Sequence, residues 1–223
     1  MNISKYIDHT LLKCPSTKKD IENICKEAIQ CNFAAVCINP LYVQYASSML
    51  KDKNVKVATV VGFPLGATTT DAKVYETAKA LKNGADEIDM VMSVGAFKDG
   101  DQKYVEKEIA LIVKEARSRI VKVIIETCYL TPQEILVASK IVVNSGAHFV
   151  KTSTGFGTRG ASLEDIKIIK DAIGDKAKIK ASGGIKTYEQ AMAMIEAGAS
   201  RIGTSSGVEI VIAPAKQNDQ LCT

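Results

Sequence analysis

The amino-acid sequence predicts an α/β fold in a single domain, and three observations lead to this prediction. Short runs rich in valine and isoleucine alternate with amphipathic stretches along almost the whole chain. A Gly-Ala-x-x-apolar pattern recurs at 84–88, 146–150 and 198–202, each time where a helix should end and a strand begin. No linker rich in proline, glycine or serine divides the 223 residues.

Eight strands and six longer helices are predicted in alternation. The strands are expected at 6–10, 34–38, 55–61, 87–92, 121–126, 147–151, 177–181 and 201–203. The helices are expected at 17–30, 71–82, 104–118, 132–144, 163–173 and 188–196. Capping residues support several helix starts, as at Thr17, Thr131, Ser162 and Thr187.

Eight βα units in a chain slightly shorter than about 250 residues favour a single closed (β/α)8 barrel, the TIM barrel. A doubly wound open sheet is the alternative architecture. We assign residues 1–214 to the barrel and residues 215–223 to a short polar C-terminal tail.

Composition excludes several classes of protein. A formal net charge of +4, no tryptophan and 5% aromatic residues argue against a nucleic-acid surface. No apolar run reaches the 18 residues that a membrane span needs, and residues 1–8 do not resemble a secretion signal. Six cysteines without a CxxC pair and only two histidines make a metal site improbable. Free thiols then favour the cytoplasm.

Charged side chains interrupt strands that should be apolar. Parallel strands covered by helices are normally continuous in valine and isoleucine, so a charged face should point into the barrel. Alternation places Asp89, Lys151 and Lys180 on that face, near the carboxyl ends of their strands, where barrel enzymes have their active sites. Glu87, Lys122 and Lys178 are nearer strand starts, and we expect them to be structural ion pairs. For Lys151 and Lys180 a catalytic role is favoured over a structural one.

Two lysines at one height on neighbouring strands suggest a nucleophile. Repulsion between Lys151 and Lys180, added to burial, would lower the pKa of one amine. A neutral lysine amine attacks carbonyl groups and forms a Schiff base. The sequence alone therefore predicts a barrel enzyme with a lysine nucleophile.

Two glycine loops follow the last two predicted strands and favour a phosphate ligand. Barrels often bind phosphate with the loops of their last two units. Here these loops offer Gly183, Gly184, Ser205 and Ser206, with backbone N–H groups and hydroxyls. The segment 155–160 matches GxGxxG, but without an acidic residue after the next strand we do not assign it to a dinucleotide. It is instead expected to be a loop near the substrate, with Arg159 directed at a phosphate.

Three further candidate side chains lie in predicted strands. Asp8 could bond a substrate hydroxyl or an interior cation, and Cys37 could line the pocket or be a small core residue. His9 is expected to be structural.

Several segments resemble the deoxyribose-phosphate aldolase family. They are Val60-Val61-Gly62-Phe63-Pro64-Leu65-Gly66, Glu87-Ile88-Asp89-Met90-Val91, Lys122-Val123-Ile124-Ile125-Glu126-Thr127, Phe149-Val150-Lys151-Thr152-Ser153-Thr154-Gly155-Phe156 and Lys180-Ala181-Ser182-Gly183-Gly184-Ile185. The resemblance runs from about residue 6 to residue 207, and the block around Lys151 is its most specific part.

The resemblance implies a class I aldolase without metal or cofactor. It would cleave 2-deoxy-D-ribose 5-phosphate reversibly to D-glyceraldehyde 3-phosphate and acetaldehyde. Lys151 would form the Schiff base, Lys180 would lower its pKa, and Asp89 would transfer protons with Lys180 through a water. The implied binding residues are Gly155, Gly183, Gly184, Ser205, Ser206, Asp8 and Cys37.

The chain departs from the family at two places. Some members carry lysine where this chain has Phe156, and some end in a tyrosine where this chain ends Leu221-Cys222-Thr223. Two alternatives stay open from the residues alone: another phosphate-binding barrel enzyme, or a barrel that binds a sugar phosphate without catalysis. The expected partners are the sugar phosphate and acetaldehyde, with neither nucleic acid nor membrane. Barrels of this size often form homodimers, but one sequence assigns no interface.

Overall fold

The chain forms a closed barrel of eight parallel strands, in a computed structural model that describes residues 2–220. Each strand pairs with its sequence neighbours, and β1 pairs with β8 to close the ring. The predicted (β/α)8 barrel is confirmed, and the open sheet is excluded. The strands are β1 Ile7–Leu11, β2 Ala35–Ile38, β3 Lys56–Val61, β4 Glu87–Val91, β5 Ile120–Ile124, β6 Phe149–Lys151, β7 Lys178–Ser182 and β8 Arg201–Thr204.

Helices surround the barrel and bury its outer face. Those described are α1 Lys18–Gln30, α2 Val43–Met49, α3 Thr70–Lys82, α4 Val94–Lys98, α5 Gln102–Ala116, α6 Pro132–Asn144, α7 Leu163–Ile173, α8 Tyr188–Glu196 and α9 Gly207–Gln220. The described helices also include three short 3₁₀ turns, at Ile3–Tyr6, Pro40–Tyr42 and Thr127–Tyr129. None of the helices in residues 2–220 is both long enough and apolar enough to cross a membrane.

Side-chain caps fix where several helices begin. Thr17 with Asp20, Thr131 with Glu134 and Thr187 with Gln190 each form a reciprocal capping box, because hydroxyl and carboxylate or amide oxygens satisfy N–H groups that lack helical partners. Ser162 caps α7 through the N–H of Asp165. The start of α3 differs from the expectation by one residue, since Thr69 is its cap.

The repeated Gly-Ala pattern performs the predicted task. Gly84, Gly146 and Gly198 have φ angles of +102°, +79° and +121°, which side chains with a Cβ rarely adopt. Each glycine reverses the chain after α3, α6 or α8. The chain then enters β4, β6 or β8.

Register brings the charged positions together inside the barrel. Asp89 of β4 lies beside Lys122 of β5, and Lys151 of β6 lies beside Lys180 of β7. All four side chains are buried, whereas Lys178 at the start of β7 is exposed. Strand alternation had placed Asp89, Lys151 and Lys180 on one inner face. The structure brings them to that face.

At the C-terminal end, α9 runs through the boundary that we expected at residue 214. The division into a barrel and a polar tail stays a prediction, and the terminal residues 221–223 lie outside the described part of the chain.

Candidate active site

A network of buried charges fills the inside of the barrel. Among the described residues, basic side chains from β5, β6, β7 and β8 meet carboxylates from β1 and β4. The basic residues are Lys122, Lys151, Lys180 and Arg201, and the acidic residues are Asp8, Glu87 and Asp89.

Asp89 is the centre of this network. Its Oδ2 accepts hydrogen bonds from Lys151 Nζ at 2.8 Å and from Lys180 Nζ at 2.7 Å. Its Oδ1 accepts from Lys122 Nζ at 2.7 Å. The Cys37 thiol lies 4.0 Å from Oδ2. One carboxylate thus joins the two lysines that the sequence singled out, and Lys180 contacts it directly.

A second layer lies nearer the starts of the strands. Glu87 contacts Lys122 at 2.5 Å and Arg201 at 2.5 Å, and Arg201 also bonds Asp8. Asp8 in turn bonds Lys180 at 2.5 Å. Glu87 and Lys122 are therefore ion-paired, as predicted, but Lys122 also reaches Asp89. Neither this contact nor Arg201 was predicted, because strand alternation gives the face of each side chain but not the register between strands.

The two lysines of the pair have opposite shifts in pKa. Burial lowers the pKa of Lys151, and the positive charge of Lys180 lowers it further against the attraction of Asp89. Burial also acts against the charge on Lys180, but the carboxylates of Asp8 and Asp89 outweigh it and raise its pKa. The same comparison holds for Asp89: burial would raise its pKa, but Lys122, Lys151 and Lys180 hold it well below its usual range. The proton is therefore held less tightly on Lys151 than on Lys180.

A cavity of about 380 Å³ opens above this network at the carboxyl ends of the strands. Its wall includes Lys151 and four of the predicted binding residues, Gly155, Gly183, Gly184 and Ser205. These residues come from loops that follow β6, β7 and β8. Loops of this kind present backbone N–H groups and hydroxyls, which suit an anion.

Three other predicted binding residues do not line this cavity. Asp8 is fully buried below it, with both carboxylate oxygens bonded to cations, and Cys37 is fully buried beside Asp89. Ser206 lies at the start of α9, where its N–H donates to the Thr204 hydroxyl. Asp8 and Cys37 contact the catalytic candidates rather than the open space.

The expected role of Arg159 needs correction. Its guanidinium donates hydrogen bonds to both carboxylate oxygens of Asp165 and, at 3.2 Å, to the Thr127 carbonyl oxygen. Arg159 does not line the cavity. The basic residues that do line it, besides Lys151, are Lys13 and Lys186. Lys186 follows the Gly183-Gly184 loop by two residues, and that spacing was the available signal.

The GxGxxG segment has a packing explanation. A Cβ on Gly160 would lie 2.0 Å from the Gly183 carbonyl oxygen, and a Cβ on Gly157 would lie 2.5 Å from Cys128 Sγ. Gly155 has a φ of +88°. These glycines let two cavity loops touch, which agrees with setting aside a dinucleotide.

Sequence reasoning missed a polar pair at the cavity wall. Glu126, predicted as strand, follows the end of β5 with a φ of +52°, and its buried carboxylate accepts from the N–H and hydroxyl of Thr154. Thr154 lines the cavity. His9, for which no partner was identified, bonds Glu27 at 2.7 Å on the outside of the barrel.

A parallel barrel whose cavity ends at a buried lysine beside a carboxylate is the architecture of a lysine-dependent barrel enzyme. The chain belongs to the DeoC/LacD family of aldolases, whose family model matches residues 3–212. The prediction of an aldolase, which is a lyase, is thereby confirmed.

Curated relatives cover nearly the whole chain. A deoxyribose-phosphate aldolase of Thermococcus gammatolerans is 58% identical over 215 residues, covering 95% of this chain and 96% of the relative. One from a Thermoanaerobacter species is 56% identical over 214 residues, with 95% and 96% covered.

Solved structures agree with this fold. An aldolase designated QR15 superposes with a TM-score of 0.94 at 44% identity and covers 98% of both chains. The deoxyribose phosphate aldolase of Aeropyrum pernix, described as a unique tetramer, gives 0.90 at 31% identity, with 96% of this chain and 92% of that chain covered.

Proposed function

We propose that this chain is a deoxyribose-phosphate aldolase that cleaves 2-deoxy-D-ribose 5-phosphate through a Schiff base on Lys151. The observation that supports this most is the environment of Lys151, whose lowered pKa and position at the cavity wall suit a nucleophilic amine. The relatives named above share the proposed activity by name.

Each step of the reaction has a candidate group. The Lys151 amine adds to the C1 aldehyde, and loss of water gives a protonated imine. Removal of the proton from the C3 hydroxyl breaks the C2–C3 bond, and its electron pair moves into the imine to form an enamine. D-Glyceraldehyde 3-phosphate leaves at this point. Proton addition at C2 and hydrolysis then release acetaldehyde.

Asp89 and Lys180 are proposed to move the protons. Asp89 Oδ2 lies within hydrogen-bond distance of the Nζ atoms of Lys151 and Lys180. A proton can therefore pass between the two amines through Asp89 without any movement of the strands. Asp8 and Asp89 raise the pKa of Lys180, so Lys180 holds its proton more tightly than Lys151 and is the proposed acid.

The sugar phosphate is proposed to place its phosphate at the glycine loops. Gly183, Gly184 and Ser205 line the cavity, and Lys13 and Lys186 add positive charge at its mouth. These lysines supply positive charge of the kind that some family members have in a lysine at the position of Phe156. We propose that Ser206 supports the phosphate site, and that Asp8 and Cys37 support Lys180 and Asp89, which they contact. The proposed setting is the cytoplasm, where the reaction would degrade deoxynucleoside sugars. A homodimer remains a prediction.

Borohydride trapping tests the Schiff base. The protein is incubated with 2-deoxyribose 5-phosphate or acetaldehyde, reduced, and mapped by mass spectrometry. We expect one adduct, on Lys151, that is lost in Lys151→Ala and kept in Lys178→Ala, since Lys178 is exposed on the neighbouring strand. A folded wild-type protein without any adduct would refute the mechanism and favour the non-catalytic barrel. An adduct on Lys180 would exchange the roles of the two lysines.

A further inference from the structure

A second buried ion pair lies outside the barrel interior, in the layer between the helices and β4. Lys73 of α3 and Glu108 of α5 are both fully buried, with Nζ and Oε1 2.7 Å apart. Removing two charges from water is costly, and apolar side chains of similar size would often be at least as stable. The pair belongs to neither the cavity nor the charged network, so its contacts must explain it.

Both members of the pair also bond the backbone where β4 ends. Lys73 Nζ donates to the Val91 carbonyl at 2.9 Å, and Glu108 Oε2 accepts from the Ser93 N–H at 2.9 Å. Val91 is the last residue of β4. An apolar pair could not supply these two directed bonds.

The same helix holds the end of β3. Glu76, one turn after Lys73 on α3, accepts from the Gly62 N–H at 2.7 Å. A Cβ on Gly62 would lie 2.8 Å from Lys73 Cε, so glycine lets the backbone rest against the lysine stem. We call Lys73, Glu76 and Glu108 the exit clamp, because they bond the backbone where two neighbouring strands leave the barrel.

Both strand ends lead directly to the site. Asp89 lies two residues before Val91 and contacts Lys151. Phe63 follows Gly62 and packs edge to face on Phe156, with ring centroids 5.3 Å apart, and Phe156 lines the cavity. A shift of either strand end therefore reaches a group that faces the substrate.

We propose that the exit clamp positions the catalytic centre: Lys73 and Glu108 hold Asp89 at the height of Lys151, and Glu76 holds Phe63 against Phe156. These are positioning residues, since they act through Asp89 and Phe63. The inference rests on the proposed function for its kinetic consequence. Its structural consequence, the setting of Asp89 against Lys151, can be measured without any substrate.

The main test is the double variant Lys73→Met/Glu108→Gln. It removes both charges, so that no unpaired buried charge is left, and the glutamine oxygen still accepts from Ser93. Val91 loses its donor. Since a misplacement of about 1 Å can cost about 100-fold in rate, we expect kcat for aldol cleavage to fall about 10-fold. KM should stay within about twofold, because neither Lys73 nor Glu108 lines the cavity.

A second readout needs no aldolase activity. Pulse acetylation of the Lys151 amine, followed by mass spectrometry across pH, gives the pH at which Lys151 becomes reactive. Asp89 and Cys37 favour the charged form of Lys151, while burial and the positive charge of Lys180 oppose it. Loosening Asp89 should therefore move this midpoint to lower pH, by about half a pH unit.

Two further variants separate positioning from stability. Ile112→Ala, at a fully buried apolar position on α5, should lower the unfolding temperature and leave kcat and the midpoint at wild-type values. Glu76→Ala, at a partly exposed residue, should fold and lower kcat about threefold.

The outcomes decide between the hypotheses. Wild-type kcat and midpoint in both the double variant and Glu76→Ala would overturn the proposal. The same would follow if Ile112→Ala reproduced their kinetic changes. If wild-type protein showed no cleavage but the double variant moved the Lys151 midpoint, the proposed function would fail and the clamp would stand.

Discussion

At the residue scale, the number of contacting carboxylates determines which of the two lysines holds its proton more tightly. Lys180 contacts two carboxylates, Asp8 and Asp89, whereas Lys151 contacts only Asp89 among the described residues. Burial disfavours the charged form of both lysines. The second carboxylate therefore explains why the pKa of Lys180 is raised while that of Lys151 is lowered.

We predict that Lys180→Met moves the pH dependence of imine formation to higher pH. The positive charge of Lys180 helps to lower the pKa of Lys151, so its loss raises that pKa. Less neutral amine is then present at pH 7, and the trapped adduct on Lys151 should increase as pH rises. The measurement is the yield of borohydride-reduced adduct between pH 6 and about pH 10.

Lys178→Met is the control for this prediction, because it removes an exposed lysine from the same strand. Its profile should match that of the wild type. An unchanged or lower midpoint in Lys180→Met would show that Lys180 does not set the pKa of Lys151.

Only part of the site was accessible to sequence reasoning. Strand alternation suffices to place Asp89, Lys151 and Lys180 on one face, because a strand has a period of two. It does not reveal that Lys73 pairs with Glu108, 35 residues away on another helix. Nor does it reveal that Asp165 binds Arg159, since that contact depends on the path of a loop.

At the element scale, the loops after β6 and β7 touch through glycines that lack room for a side chain. We predict that Gly160→Ala raises KM for 2-deoxyribose 5-phosphate about 10-fold, equivalent to about 1.4 kcal/mol of binding. Its Cβ would meet the Gly183 carbonyl at 2.0 Å, so the loop that lines the cavity must shift. Steady-state kinetics measures the change.

Gly95→Ala is the matched control, because nothing lies within 4 Å of a Cβ there and the residue is in helix α4. It should leave KM unchanged and stabilise the protein by about 0.5–1 kcal/mol. Equal KM values for the two variants would show that the loop contact does not shape the cavity.

The longer elements were predicted within about two residues, except for α9, a helix of 14 residues for which no range was predicted. Helices α2 and α4 were missed because seven and five residues give too few turns for a helical period. Strand β5 ends at Ile124, short of the predicted residue 126, because Glu126 has a left-handed backbone. An apolar alternation contains no information on such a turn.

At the scale of the whole molecule, Arg201 links both sides of the barrel. It lies on β8 and contacts the neighbouring strand β1 as well as β4 on the opposite side. It bonds Asp8 of β1 from β8, and it reaches Glu87 of β4 at 2.5 Å. Its side chain is 12% exposed. The contact therefore belongs to the closure of the ring rather than to one local element.

We predict that Arg201→Met lowers the free energy of unfolding by about 3 kcal/mol, since both carboxylates stay buried and keep only their lysine partners. Arg119→Met is the control: its ion pair with Asp86 is similar in kind, but the arginine is 53% exposed. That variant should lose at most about 1 kcal/mol. Denaturant unfolding at pH 7 measures both, and equal losses would contradict a role in closure.

The loss of unfolding free energy in Arg201→Met should also depend on pH, and the charges around Asp8 determine the direction of that dependence. Burial would raise the pKa of Asp8, but Lys180, Lys122 and Arg201 together lower it below its usual value. The stability that Asp8 contributes is therefore present above its unfolded pKa of about 3.9 and is lost as pH falls through the folded pKa. Without Arg201 the folded pKa is higher and the contribution smaller. The difference between wild type and variant should thus be largest near neutral pH and narrow below about pH 4. A constant difference over that range would mean that Arg201 acts by packing, not through Asp8.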